Sequence, residues 1–395
     1  MTLPTMAAWA KIKGISLLGT ADFTHPEWRR RLRREIAPAR NGFFRLKNPA
    51  PPEDERLREF AFSPDGIHFL LSSELSFVYG KKGKTRKIHL LVLVPGWASV
   101  EQICRRLARK GNLSADGRPV FGMDAADFVR MAADADPNCL IIPAHIWTPW
   151  FSLFGSRSGF EAIEECFEEM TPFILALETG LSSDPAMSRR ISGLDRFALI
   201  SNSDAHSPGN IGREASAFDT DFTYSGLREA LRQNNPEKFL YTVEYFPEEG
   251  KYYADGHRKC GLVVSPKNAL WRGQVCPVCH KRLTAGVRHR IDDLADRSER
   301  TAGRKGIPFR HLVPLREIIA EACGRGPGCK TVAETYFRFI RAFGDEHSIL
   351  TEIPANELRR MKPECVAEGI ERVRRGRIDI SPGYDGVYGR VRLFS

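Results

Sequence analysis

S-N-S-D-A-H-S-P-G-N-I-G (Ser201–Gly212) follows the apolar run Phe197–Ile200 and offers Asp204 and His206 two residues apart on a turn rich in Ser, Pro and Gly. A short unbroken apolar run of this kind reads as a strand buried on both faces. A carboxylate and an imidazole leaving its end together are placed to hold a divalent metal. Taken alone, the stretch reads equally well as a polar turn with an N-capping Asp. Recurrence of the pattern decides between the two.

Working outward, Phe173–Leu177 ends in Glu178, Leu140–Pro143 delivers His145, and Ile67–Leu71 exits into S-S-E-L with Glu74. Ile15–Leu18 exits into G-T-A-D-F-T-H-P with Asp22 and His25, while Ile88–Val94 carries His89 inside the run. Helical patterns over Val100–Lys110, Ala125–Ala133 and Phe160–Met170 separate several of these runs. The alternation predicts a (βα) barrel, in which functional groups at the C-terminal ends of the strands converge on one face. Five of the six predicted strand ends carry His, Asp or Glu, and that repetition predicts a multinuclear metal site. The chain, however, opens on a helix, with Thr2 as N-cap, Thr5–Lys13 as its body and Gly14 as its stop. A barrel opens on a strand, so a first strand and its exit loop are expected upstream of Met1.

The 395 residues, 42% of them hydrophobic, suffice for one large domain and one or two smaller ones. A formal charge of +10 favours polyanionic partners. Nine Cys at irregular spacing form no disulfide framework and indicate a reducing compartment. No apolar run approaches the roughly 18–20 residues of a membrane span. A cytoplasmic, nucleoid-associated protein is expected, with no membrane contact.

Beyond the predicted barrel the composition shifts. Residues 251–310 hold fourteen Lys and Arg against five Asp and Glu. Within them stand His257-R-K-Cys260 and Cys276-P-V-Cys279, a spacing H-x2-C-x15-C-x2-C that signals a zinc ribbon. His289 competes with His257 as the fourth ligand, whereas His280 is too close to Cys279 in sequence to share its ion. Helical patterns then occupy Leu315–Ala322, Val332–Phe343, Ala355–Met361 and Cys365–Arg374. The expected organisation is a metal-dependent barrel over 1–248, a zinc-ribbon segment over 249–300 and a helical region over 301–395.

With those residues in view the chain resembles the endonuclease Q family of DNA-repair proteins, in which a PHP (polymerase and histidinol phosphatase) domain precedes a zinc-binding segment and a helical tail. The resemblance covers nearly the whole chain. It rests on Gly19–Trp28, on P-A-H-I-W-T-P-W-F-S-L-F-G-S-R-S-G-F (Pro143–Phe160), on Leu177–Pro185, Ser201–Pro208 and Cys276–Arg297, and on the closing P-G-Y-D-G-V-Y-G. It implies an α/β fold with a distorted (βα)7 barrel of PHP type holding divalent metal ions (Zn, Mn or Mg), followed by one structural Zn. Carried over by motif, the barrel ligands are His25, Glu74, His89, His145, Asp204 and His206, with Asp22 either a ligand or a support behind them. Glu74, Asp204 and His206 are the implied catalytic residues. PHP proteins begin with a strand ending in His-x-His, and no such pair precedes Asp22. The expectation is a natural start further upstream; the alternative is a form lacking two or more ligands.

The resemblance further implies a metal-dependent endonuclease that nicks DNA 5′ to deaminated bases (uracil, hypoxanthine, xanthine) or abasic sites. Its partner would be double-stranded DNA with damaged bases, and a sliding clamp or another repair protein a further one. Arg29, Arg30, Arg258, Lys259, Arg288 and Arg290 are the candidate phosphate contacts. Trp147, Trp150, Phe151 and Phe154 either wall a pocket for an extruded lesion or pack as a loop over the barrel mouth. Two other functions compete: a PHP-type phosphatase of small phosphomonoesters, and a DNA-binding protein that has lost hydrolysis with its N-terminal ligands.

Overall fold

The computed structural model describes residues 1–48, 51–61, 66–115, 117–264, 275–302 and 306–394. Residues 265–274 of the expected ribbon segment lie outside them.

The opening helix, Leu3–Lys13, has the predicted caps: Thr2 Oγ1 accepts from the Thr5 amide, and Gly14 turns the chain at φ 83°. Its apolar side meets the short helix Arg58–Ala61 and the C-terminal helices. Trp9 lies 6.1 Å from the rings of both Tyr336 and Phe337. At its end, Lys13 pairs with Glu346 at 2.5 Å, both side chains buried.

The strands in chain order are β1 (Leu17–Gly19), β2 (Ile36–Pro38), β3 (Phe44–Leu46), β4 (His68–Lys81), β5 (Lys84–Val94), β6 (Val120–Phe121), β7 (Leu140–Pro143), β8 (Ala176–Glu178), β9 (Ala198–Ile200), β10 (Ala215–Phe218) and β11 (Phe239–Glu244). The spine is β4, at 14 residues far longer than the run Ile67–Leu71 suggested. It pairs with β1 near its start, with β6 further on and with β5 along eleven register positions.

The expectation of parallel strands throughout fails at β5, which returns antiparallel to β4 through the Lys81–Lys84 turn and pairs antiparallel with β7. Apolar periodicity carries no strand direction, and a tight basic turn between two long strands closes a hairpin, not a crossover. The reversal explains why His89 sits inside its strand: the middle of β5, not its end, lies level with the exit of β7, where Leu90 opposes Pro143.

Period-two alternation sorts the strand residues into two cores. Leu70, Leu91, Leu93, Leu140, Ile142, Ala176, Ala198 and Ile200 point inward and form one cluster with Phe218 and Phe239. Their neighbours Leu71, Val92, Ile141, Leu177 and Leu199 point outward and join the helices in the larger cluster. The strands thus wrap one inner core, as a barrel does, but no closed ladder runs around it among the described residues. The distorted (βα)7 barrel becomes a seven-stranded sheet plus a parallel β8–β9 pair and a three-stranded sheet in which Phe309–His311 joins β10 and β11. Single bonds bridge the gaps, from the Ile146 amide to Glu178 O at 3.0 Å and from Ser201 Oγ to Val243 O at 2.7 Å.

The C-terminal region follows its sequence pattern closely, with helices at Leu315–Ala322, Lys330–Phe343, Glu346–Thr351, Ala355–Leu358 and Cys365–Arg374. None of the described helices is long and apolar enough to cross a membrane.

Candidate metal centre and nucleic-acid face

Register and parity place the first two site residues. Glu74 opposes Leu91 and Ser76 opposes His89 across the β4–β5 pair, so Glu74 and His89 share the inner face with Leu91 and Leu93. Apolar toward one end, that face turns polar at the other. His145 arrives from the next strand's exit, with its backbone amide donating to Glu178 Oε2 at 2.8 Å. Its Nδ1 meets the Thr148 hydroxyl at 3.1 Å, which leaves Nε2 for the cluster.

Glu74 Oε1 lies 2.9 Å from His89 Nδ1 and 3.5 Å from His145 Nε2, and the two imidazole nitrogens are 3.2 Å apart. Yet Oε1 is buried without a hydrogen-bond partner. The two imidazoles can hydrogen-bond each other but leave the carboxylate oxygen without a partner, and three ligand atoms this close form a donor set that suits a divalent ion. Burial lowers the His89 pKa, keeping the imidazole neutral and its lone pair available. At His145 burial acts downward too, but the neighbouring Glu74 outweighs it and the pKa rises. Burial pushes the Glu74 carboxyl up, and His145, His89 and Arg118 together hold it far below the usual carboxylate range. Glu178, behind the cluster, is pushed by burial up to about 7.

The other predicted ligands surround this triangle at greater distance. The loop carrying Asp22 and His25 is fastened to β4, with the Phe23 amide on Ser72 O at 3.1 Å and the Ala21 amide on Ser72 Oγ at 2.9 Å. Its crowded surroundings, and then the Glu74 charge, raise the Asp22 pKa. His25 begins the helix Pro26–Glu35 as its N-cap residue. Asp204 is reached through Arg118, whose Nε donates to Glu74 Oε2 at 2.7 Å and whose Nη2 lies 3.4 Å from Asp204 Oδ1. His206 is the most open of the set, 76% exposed, with Nδ1 2.9 Å from Asp204 O.

Asp22, His145 and Asp204 all take positive φ, at 43°, 31° and 41°, as does Phe151 at 58°. Non-glycine residues rarely adopt this conformation, and its concentration at three strand exits marks a functional turn set. Gly180 supports one of them. Its φ is 71°, and a Cβ there would lie 2.5 Å from His145 Cβ.

Four ligand atoms, from His257, Cys260, Cys276 and Cys279, lie within 4.8 Å of one another. His289 is not among them, because its Nδ1 binds Asp255 Oδ2 at 2.6 Å. Burial pushes the Cys276 thiol up, and the backbone amides of Cys279 and Val278 outweigh it, bringing it down to about 7. Among the described residues, Val264, Leu283 and the cysteines with Leu262 form the local apolar cluster.

Not all the predicted contacts face solvent. Trp147 and Phe154 are buried, 5.0 Å apart, and Trp147 Nε1 donates to Ser188 Oγ at 3.0 Å. They support the loop from inside, leaving Trp150 and Phe151 at the mouth, where Phe151 packs 4.8 Å from the His89 ring. Among the cations, Arg30, Arg258 and Lys259 are exposed. Arg29 instead donates to Thr24 O at 3.1 Å, Arg288 is held by Glu299 and Asp292, and Arg290 donates to Phe154 O and Phe160 O at 2.9 Å each. These three guanidiniums spend part of their donors on the fold itself. Arg118, which ties two candidate ligands together, carried no signal: it follows a lone glycine in an unpatterned loop.

The fold and this ligand cluster define the class, a mixed α/β protein with a candidate metal centre at its strand exits. The family model of the MJ0043 C-terminal domain matches residues 314–377. An uncharacterized protein, YqxK of Bacillus subtilis, is 32% identical over 331 residues, 82% of this chain and 78% of its own. The uncharacterized protein MJ0043 of Methanocaldococcus jannaschii is 32% identical over 75% of this chain, which spans only 37% of that protein's length. Among solved structures, the lesion-specific endonuclease PfuEndoQ from Pyrococcus furiosus superposes with a TM-score of 0.83 at 30% identity, covering 99% of this chain and 90% of that one. A complex of endonuclease Q with a 27-mer duplex substrate bearing an abasic lesion at the active site gives the same TM-score and identity over 100% of this chain and 92% of that one. The chain belongs to the endonuclease Q family.

Replacing Gly180 by Ala should push His145 off its position and weaken divalent-ion binding by roughly 10–100-fold while the far-ultraviolet circular dichroism stays unchanged. Titration calorimetry with Mn2+ measures this, and undiminished affinity would show that His145 does not depend on the close approach.

Proposed function

We propose that this protein is a metal-dependent DNA repair endonuclease that nicks 5′ to a deaminated base (uracil, hypoxanthine or xanthine) or an abasic site. One observation carries the reading: Glu74 Oε1, His89 Nδ1 and His145 Nε2 converge beside Asp204 in a member of a family whose solved relative holds a lesion-bearing duplex.

Glu74, His89 and His145 would hold the divalent metal, with Asp204, Asp22, His25 and His206 around them; when bound, such an ion lowers the pKa of water and stabilises a leaving oxygen. Arg118 keeps the Glu74 and Asp204 carboxylates in fixed positions and offsets their charge. Thr148 and Glu178 orient His145 from behind. Arg30, Arg258 and Lys259 supply cations for the duplex backbone, so binding weakens as salt rises. Trp150 and Phe151 stand where an extruded nucleotide meets the mouth, at the level of His89. The cluster of His257, Cys260, Cys276 and Cys279 fits one structural zinc, whose binding supplies the folding energy that its small apolar cluster lacks.

On a labelled duplex with one uracil, hypoxanthine or abasic site, the protein should cut the lesion strand on the 5′ side and leave an undamaged duplex intact. Asp204→Asn and Glu74→Gln should each lower the nicking rate by roughly 100-fold with duplex affinity retained. If damaged and undamaged duplexes are cut alike, or neither is cut, the reading fails. Elemental analysis should find one zinc fewer per chain in Cys276→Ser than in the unaltered protein; equal zinc in the two removes the structural-zinc assignment.

A further inference from the structure

The β4–β5 hairpin continues well past the ligand cluster, and a cavity of about 350 Å3 opens beside its tip. One wall is the hairpin from Lys82 to Arg86, the other is the backbone of Gly155–Gly159, and Arg290 closes the third side. Five cationic side chains line it, from Lys82, Lys84, Arg86, Arg157 and Arg290, against the carboxylates of Glu161 and Glu165. Glu165 already pairs with Lys82 at 3.1 Å.

Arg86 is buried and Arg290 half-buried, and neither forms an ion pair among the described residues. Arg86 is 5% exposed, its guanidinium lies 4.1 Å from the centre of the Phe160 ring, and it donates to Gly159 O. It has no ion pair among the described residues, and its Nε has no hydrogen-bond partner. Arg290 donates to backbone carbonyls, and the carboxylates of Glu161 and Asp293 act on it without pairing. Carbonyl dipoles and a ring face offset a guanidinium charge only in part, so the cavity floor stays positive. At the rim, Lys84 and Arg157 are exposed and have no side-chain partner among the described residues.

Arg86 and His89 are three positions apart on β5, so they face opposite sides of the strand at roughly 10 Å separation. The cavity is therefore separate from the ligand cluster but within a few nucleotides of it, at the ~3.4 Å axial rise of one DNA strand. We propose that this cavity is a phosphate-binding subsite that grips a backbone phosphodiester of the duplex flanking the lesion. The proposal rests on the reading of DNA as substrate. Lys84 and Arg157 make the direct contacts, while Arg86 and Arg290 supply the buried field and hold the loop that forms the far wall.

The test uses the full chain with Lys84→Gln and Arg157→Gln combined, and Lys330→Gln, remote on a C-terminal helix, as control. Fluorescence anisotropy, with every protein also carrying Glu74→Gln so that cleavage plays no part and the zinc stays bound, measures duplex binding against salt. The double variant should bind lesion-bearing and plain duplexes about tenfold more weakly, with the slope of log K against log salt reduced by about 1–2. The control should match the unaltered protein in both. Unchanged affinity and slope in the double variant would overturn the proposal. So would loss of inorganic phosphate binding with duplex affinity intact, which would assign the cavity to a free phosphate ligand. A protein that shows the binding loss yet never nicks damaged DNA keeps the subsite and defeats the endonuclease reading; normal nicking with an unchanged salt slope does the reverse.

Discussion

A carboxylate buried in the middle of a strand is the constraint on which the rest of the site depends. Glu74 stands on β4 with one oxygen between two imidazole nitrogens and the other on the Arg118 guanidinium. Burying such a charge costs several kcal/mol unless cations or hydrogen bonds surround it. The fold supplies them from separate segments: β5 gives His89, the exit of β7 gives His145, and the loop before β6 gives Arg118. Each arrives through backbone geometry that serves little else, including the reversal of β5, the positive φ of His145 and the side-chain-free Gly180 beneath it. The inner core pins these strands in register, and the ligand cluster completes the same face where apolar residues give way to polar ones.

Much of this was legible in the chain. Asp204, His145, Glu74 and the Asp22 loop all follow short apolar runs, and that repetition disclosed both the strands and the site. Four of the five C-terminal helices and the His257, Cys260, Cys276 and Cys279 spacing were equally direct, since helical period and ligand spacing are local properties. Strand direction was not legible, because an apolar run reads the same both ways; hence β5 was taken as parallel. Nor was the fate of the arginines. Arg29, Arg288 and Arg290 look in sequence like any other basic residue, but their neighbours in space are carbonyls and carboxylates. Arg118 had neither motif nor period, and only the closed fold brings it to Glu74.

The Arg290 contacts join parts of the protein that the sequence treats separately. Its helix, Val287–Leu294, follows the cysteine cluster, and its guanidinium holds the carbonyls of Phe154 and Phe160, the far end of the loop that begins at His145. Arg86 holds the same loop from the hairpin. The aromatic mouth is thus fixed from both sides, by the segment after the knuckle and by the spine of the sheet, while Trp147 and Phe154 fill the space beneath it.

The central claim is that Glu74, His89 and His145 aim at one metal position. Crystals grown with Mn2+ and measured at the manganese absorption edge test it most directly. The account predicts an anomalous peak within about 2.0–2.3 Å of Glu74 Oε1, His89 Nδ1 and His145 Nε2. A metal-soaked crystal with no peak there, and Glu74 Oε1 hydrogen-bonded to an imidazole instead, would contradict it.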